Sequence, residues 1–192
     1  MSYPNYRVAM GIDPSLNSTG ISLLRTDRKT GEIVTADTKA LTHLMDIPRA
    51  DKLDRIYTYI CTTVREYRPE VICVEDYAYG ARNGRETSGE VRGVISLALL
   101  HAKAPVPLLV APTQLKHFAT GSAKADKSQI RLAVYKRWEF EAPSDDEIDA
   151  FILSHIALAH MRPDIRTALT EYQQATLKKI LAPKTKKARA KK

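Results

Sequence analysis

Arg7-Val-Ala-Met-Gly-Ile-Asp13 is an apolar run closed by an acid, and Val71-Ile-Cys-Val-Glu75 repeats that form. Runs this short, rich in Val and Ile and bounded by turn residues, read as β-strands. An ionised carboxylate at the end of such a strand is short of water and costly without a partner. The rest of the chain can be read outward from these two segments.

After the first run, Gly20 to Thr26 and Glu32 to Asp37 have the same short β-rich form, so the chain starts with three consecutive strands in an antiparallel arrangement. From Arg49 to Tyr67, Leu53, Ile56, Tyr57, Ile60 and Val64 recur at helical spacing, and Pro69 stops that helix. It feeds the strand Glu70 to Glu75, whose apolar interior fits a central strand covered on both faces. Asp76 to Ser88 reads as a surface loop, Gly89 to Ala102 as an apolar helix and Pro105 to Ala111 as a fifth strand. A helix is predicted to start at Pro112-Thr113 with the threonine as cap, and Asp126 with Gln129 forms a capping pair for a helix through Trp138. Ser144 and Glu147 open another from Asp145 to about Met161, and a last helix after Pro163 runs into the C-terminal tail. The expected fold is α/β, a mixed five-stranded sheet with an antiparallel start and then parallel strands, flanked by helices.

A chain of 192 residues with 44% hydrophobic residues suits one domain with a sizeable core. No apolar stretch has bilayer length, and the first residues lack the order of a secretory signal, so an intracellular protein is expected. Cys61 and Cys73 lie in apolar segments without metal-ligand spacing and are expected to be buried free thiols. The net charge of +8 is carried by the segment Lys178 to Lys192, which holds eight basic residues, Lys186 and Lys187 among them, and no acid. Such a tail can bind phosphate by counterion release or serve as a disordered, solubilising end, and composition leaves both readings open.

Asp146 and Asp149 are three apart, so on a helix they share a face, where two anions repel unless a cation lies between them. Acids are also favoured in a first helical turn for their own sake, which accounts for Asp145 and Glu147. Asp13 and Glu75 resist that account, because each closes an apolar strand. Brought together with the helical pair at one end of a sheet, the four would suit a hard divalent cation with oxygen ligands. Two such ions about 4 Å apart can activate water and stabilise a leaving oxygen in phosphodiester cleavage. His43, His101, His117, His155 and His160 show no paired ligand motif, and no G-x-S-x-G nucleophile motif is present.

Gly11-Ile-Asp-Pro-Ser-Leu-Asn-Ser-Thr-Gly20 resembles the first-strand motif of the RuvC family of Holliday-junction resolvases. Val71 to Glu75 resembles that family's second acidic strand, and Asp146-Glu-Ile-Asp-Ala-Phe151 its helical ending. Arg92-Gly93, Gln114-Leu-Lys116, Gly121-Ser122 and Lys127-Ser-Gln129 are further matches, so the likeness spans roughly Arg7 to His160. It implies a ribonuclease-H-like fold, expected over residues 1–177, and excludes the tail over 178–192, which composition marks as basic and which is expected to be disordered. It implies an endonuclease of DNA recombination and repair that resolves four-way junctions by paired symmetric nicks, acting as a homodimer without a nucleotide cofactor or a membrane. It implies that Asp13, Glu75, Asp146 and Asp149 hold two Mg2+ ions, with Mn2+ as substitute, and that Lys116 and Lys127 lie near the scissile phosphate. The expected setting is the cytoplasm of a bacterial or phage-infected cell.

There are departures from the family pattern. Ser15 stands where the family usually has glycine, and the position of its junction-centre aromatic residue falls on Ala78, between Tyr77 and Tyr79. Either tyrosine can stack on a base or pack within the protein. With Arg82 and Arg85 in the same loop, and with Lys116, Lys127, Lys186 and Lys187, they form the expected DNA-binding set. Three competing readings follow: a broader branch- or flap-cleaving nuclease, a non-catalytic branched-DNA-binding module, and an actin-like or sugar-kinase ATPase. The last needs a second lobe and a second glycine-rich loop, which 192 residues with eight scattered glycines do not supply.

Overall fold

The computed structural model describes residues 5–42, 46–76 and 85–182. Strands β1 (Tyr6–Asp13), β2 (Thr19–Asp27) and β3 (Ile33–Leu41) form an antiparallel meander. Helix α1 (Arg49–Tyr67) leads to β4 (Val71–Glu75), and α2 (Arg85–His101) to β5 (Leu108–Val110). Then come α3 (Pro112–Thr120), α4 (Lys127–Trp138), α5 (Asp145–Met161), α6 (Pro163–Thr167) and α7 (Glu171–Leu181). The sheet order is β3-β2-β1-β4-β5, with β4 parallel to both β1 and β5, which is the mixed sheet expected from the pattern.

Two cores lie on the two faces of this sheet. On one, Ile56, Ile60 and Val64 of α1 and Val91, Ile95 and Leu99 of α2 cover Met10, Ile12, Ile72 and Val74. On the other, α5 lies across Ala9, Leu24 and Cys73, with α3, α4 and α7 packed around it. Alternate residues of β1 and β4 therefore serve opposite cores, which is why their sequences are apolar throughout. Cys61 and Cys73 are buried free thiols, as expected, and burial pushes the Cys73 thiol upward.

Several boundaries differ from expectation. β3 runs on to Leu41 because Thr38–Leu41 pair with Thr19–Ser22, and long-range pairing overrides a weak local pattern there. β5 shrinks to three residues, the length that pairs with Cys73–Glu75. Helix α2 begins at Arg85, so the expected loop is shorter than Asp76 to Ser88. Thr113 is not the cap of α3: Ala111 holds that position, its N–H donating to the Gln114 side chain at 2.9 Å, and Pro112 opens the helix. The single last helix is two, α6 and α7, because Thr170 and Gln173 cap a new start. Lys178 and Lys179, which the sequence places in the tail, lie in the last turn of α7.

Candidate active site

Because β1 and β4 are parallel and in register from Ala9↔Val71 to Ile12↔Val74, their C-terminal residues Asp13 and Glu75 end side by side. Helix α5 brings the other two acids down onto this point. Its approach depends on two glycines: a Cβ on Gly20, which pairs with Asp13 in the ladder, would stand 2.2 Å from the Asp146 carbonyl oxygen. A Cβ on Gly11 would stand 2.1 Å from the Ala150 carbonyl oxygen. A side chain at either position would push the helix off the sheet. Further along the same contact, the Ser22 and Ser154 hydroxyls meet at 3.0 Å, small polar groups in close approach.

Capping sorts the acids of the first turns of α5. Glu147 accepts from the Ser144 N–H and hydroxyl and, at 3.3 Å, from the Ala40 N–H of β3. Asp145 pairs with Lys127 at 2.6 Å and Arg131 at 2.8 Å, joining α4 to α5. These two acids are thus engaged in structure, while Asp146 and Asp149 stand in the field of Asp13 and Glu75.

The electrostatics follow from burial of like charges. Asp13 is buried, and its carboxyl is held well above the ordinary range, first by desolvation and then by Glu75, Asp149 and Asp146. Its side chain is within hydrogen-bonding reach of Glu75, a contact that adds to the preference for the protonated form of Asp13. Glu75 is raised to about 7 by burial and by Asp149, with Lys116 pulling the other way. Asp149 is raised to about 6 by burial and by Asp145 and Asp146, against Lys127 and Lys116. Both lysines are therefore close enough to act on the acids. The Lys116 ammonium donates to the Ala125 carbonyl at 3.0 Å, and Lys127 is largely exposed apart from its bond to Asp145.

This donor set fits a hard cation in its chemistry: oxygen ligands only, with Asp13 buried and the other three partly so, and mutually repelling until positive charge arrives. Among the described residues no three His, Cys, Asp or Glu side chains are arranged so that they could hold an ion as they stand. The cluster is an open set, the form in which water and substrate oxygens complete the coordination.

Other side chains position the site without having been assigned that role from sequence. Arg92 of α2 donates to the Asp76 carboxylate at 3.0 Å and to the Glu75 carbonyl at 3.1 Å, tying the end of β4 to the helix behind it. Its signal was an arginine in an apolar helix. Lys52, buried on α1, donates to Asn17 at 2.9 Å, and Thr19 donates to the Ser15 carbonyl at 2.6 Å. Together they hold the turn that follows Asp13. Of the expected DNA-contacting residues, Tyr77, Tyr79, Arg82, Lys186 and Lys187 lie outside the described residues. Arg85 opens α2, and its side chain is likewise outside them.

Residues 9–160 match the model of the family described as crossover junction endodeoxyribonuclease RuvC. The RuvC of Syntrophomonas wolfei subsp. wolfei is 30% identical over 156 residues, covering 79% of this chain and 87% of that protein. The solved structure of Thermus thermophilus RuvC superposes with a TM-score of 0.63 at 23% identity, covering 80% of this chain and 96% of that one. A second Thermus thermophilus RuvC structure, in complex with Holliday junction substrate, gives a TM-score of 0.64 at 20% identity over 81% of this chain and 96% of that one. These superpositions establish the fold as ribonuclease-H-like, and among the described residues no helix is long and apolar enough to cross a membrane. With the family's model matched across both acidic strands and the acidic helix, the chain belongs to the RuvC family of crossover junction endodeoxyribonucleases, which are metal-dependent nucleases.

Proposed function

We propose that this protein cuts four-way DNA junctions by paired nicks, and that Asp13, Glu75, Asp146 and Asp149 are its metal ligands. The observation that carries this reading is the gathering, within the family's fold, of acids from β1, β4 and α5 into one field, in which the proton affinities of Asp13, Glu75 and Asp149 are driven upward. The relative solved with a Holliday junction substrate supports the choice of DNA. Two Mg2+ ions, with Mn2+ as substitute, would supply the charge that activates water and stabilises the leaving oxygen.

The chain's own residues prepare that step. Burial and like charge favour the protonated forms of Asp13 and Glu75, and a cation would favour their ionised forms, so cation binding and proton release would be linked. Arg92 and Asp76 fix the end of β4, and Gly11 and Gly20 fix the height of α5, so the carboxylates are held before substrate arrives. Lys116, held at its tip by the Ala125 carbonyl, and Lys127, released from Asp145, would neutralise charge that grows on the phosphate. Tyr77 and Tyr79 would stack on junction bases, with Arg82, Arg85, Lys186 and Lys187 on the backbone. The nuclease domain in this reading runs on from residue 177 to the end of α7 at Leu181, the basic residues that follow add affinity for phosphate, and the working form is a homodimer with two sites.

The test is cleavage of a synthetic four-way junction against a linear duplex of the same sequence, with Mg2+ present and absent and Asp13→Asn as control. Paired nicks on opposing strands, confined to the junction and lost in the variant, support resolution. Equal cutting of both substrates would leave a broader nuclease, and binding without cleavage under either ion would leave a DNA-binding module.

A further inference from the structure

The family match ends at residue 160, and α6 and α7 lie beyond it. Helix α7 is nevertheless bound into the structure by polar contacts, and these converge on the two helices that carry the lysines. His117, next to Lys116 on α3, meets the Thr176 hydroxyl through Nδ1 at 2.6 Å. That hydroxyl donates its proton to the Tyr172 carbonyl at 2.7 Å, so the imidazole Nδ1–H must be the donor in the first bond. The Tyr172 ring meets His117 edge-on at 6.0 Å and lies against Gly121, which caps α3 in the left-handed region at φ 81°.

At the end of α4, Arg137 donates to the Tyr172 hydroxyl at 2.6 Å and to the Gln173 side-chain carbonyl at 2.9 Å. Gln173 is fully buried and Thr176 2% exposed, so the bonds of these two residues are partly buried, whereas the Arg137–Tyr172 bond lies at the surface. The first turns of α7 thus hold the last turn of α3 and the last turn of α4 together. The Lys116 tip is fixed at Ala125, in the connection between those same helices.

We infer that α7 is a brace for the lysine-bearing pair α3 and α4, with Thr176 and Tyr172 acting as positioning residues that set Lys116 against Glu75 and Asp149 through His117. None of these groups touches the reacting atoms. Apolar burial of Leu177 would hold α7 in place without them, whereas the Thr176 bond orients the very turn from which Lys116 projects. The inference rests on the proposed function for its catalytic consequence but not for the brace itself.

The experiment compares the full chain with Thr176→Val, which keeps the shape and loses the hydroxyl, and Thr176→Ser, which restores it. Three quantities are read: single-turnover cleavage of a four-way junction with Mg2+, affinity for that junction, and hydrogen exchange of the α3 and α5 amides. Thr176→Val is expected to cleave about tenfold more slowly, as a lysine displaced by a fraction of an ångström would. Junction affinity should stay within about twofold, since phosphate contacts are unchanged. Exchange should quicken in α3 and not in α5, and Thr176→Ser should recover both rate and protection.

Wild-type rate with unchanged α3 exchange would overturn the brace, as would a loss shared evenly by α3 and α5, or a folded Thr176→Ser that fails to recover. Should Thr176→Val not fold, Tyr172→Phe removes only the bond to Arg137. It must then slow cleavage by about threefold for the inference to stand. If the wild-type chain cleaves no junction at all, the proposed function fails, and the α3 exchange pattern in the two Thr176 variants decides the brace by itself.

Discussion

Asp149 and His155 stand on the same helix, and burial shifts the two in opposite directions. Asp149 is raised to about 6 by desolvation and by Asp145 and Asp146. His155 is lowered to about 3 by desolvation alone. It stacks on Trp138 at 4.5 Å and meets Phe151 edge-on at 4.6 Å, aromatic neighbours that offer its ring no counter-charge. Both groups are pressed toward neutrality, but only one has company of its own sign. The histidine end is at rest when neutral, whereas the acidic end carries a repulsion that a cation relieves, and that difference separates a packing residue from a ligand.

The largest effect that could break this comparison is on catalysis. Asp13→Asn or Asp149→Asn is expected to reduce junction cleavage by roughly a thousandfold, as loss of a principal electrostatic group does. His155→Phe should leave cleavage within about twofold, because a ring that only packs contributes nothing to the reacting charges. The adjoining cavity of about 240 Å³, lined by Phe118, Trp138 and Gln173, gives the larger ring room. Rates measured side by side decide it: a strong loss in His155→Phe, with its fold intact, would end the distinction between the two ends.

Next in size is the packing that brings the acidic end down onto the sheet. Gly20→Ala and Gly11→Ala each drive a methyl group into backbone of α5, and each should destabilise by about 3 kcal/mol with a matching loss of cleavage. Gly93→Ala is the control, since nothing lies within 4 Å of a Cβ there. Placed within α2, it should stabilise by about 0.5–1 kcal/mol. Urea unfolding of the three variants measures both directions.

The two ends also predict opposite pH slopes in the absence of metal. Asp149 and Glu75 hold their protons up to about 6 and about 7 in the fold, against ordinary values of 3.8 and 4.5. Their contribution is present below the ordinary values and is lost as pH rises through the folded ones. His155, neutral in the fold down to about 3 against an ordinary 6.5, contributes stability above 6.5 that is lost as pH falls. Melting temperatures across this range should therefore fall less steeply toward neutral pH in Asp13→Asn, and less steeply toward acid in His155→Phe. Mg2+ added above pH 7 should raise the wild-type value and leave Asp13→Asn nearly unmoved.

What could be read in advance follows the same physical division. The strands ending in Asp13 and Glu75, and the helix starts at Asp126 and Ser144, declare themselves through local chemistry: apolar runs closed by an acid, and side chains that cap backbone N–H groups. Thr170 with Gln173 has the same form and could have been read as a helix start. The extension of β3, the shortness of β5 and the hold of Arg92 on Asp76 depend on partners distant in sequence. Gly11 and Gly20 fall between these cases. A glycine inside a strand signals close approach of another backbone, but not that α5 is what approaches.

The smallest effects separate the two lysines. Lys127 pairs with Asp145, yet its side chain is 77% exposed and Arg131 holds the same carboxylate. Lys127→Met should therefore change stability by less than about 0.5 kcal/mol, with an equally small coupling to Asp145→Asn in a double-mutant cycle. Among the described residues Lys116 has no second cation to take its place at the Ala125 carbonyl, and its charge opposes the proton affinity of both Glu75 and Asp149. Lys116→Met should destabilise by about 1 kcal/mol and weaken Mg2+ dependence more than the Lys127 change. If Lys127→Met proved the more disruptive in the metal-free protein, its bond to Asp145 would be a structural tie rather than a resting position, and its proposed move to the phosphate would have to be given up.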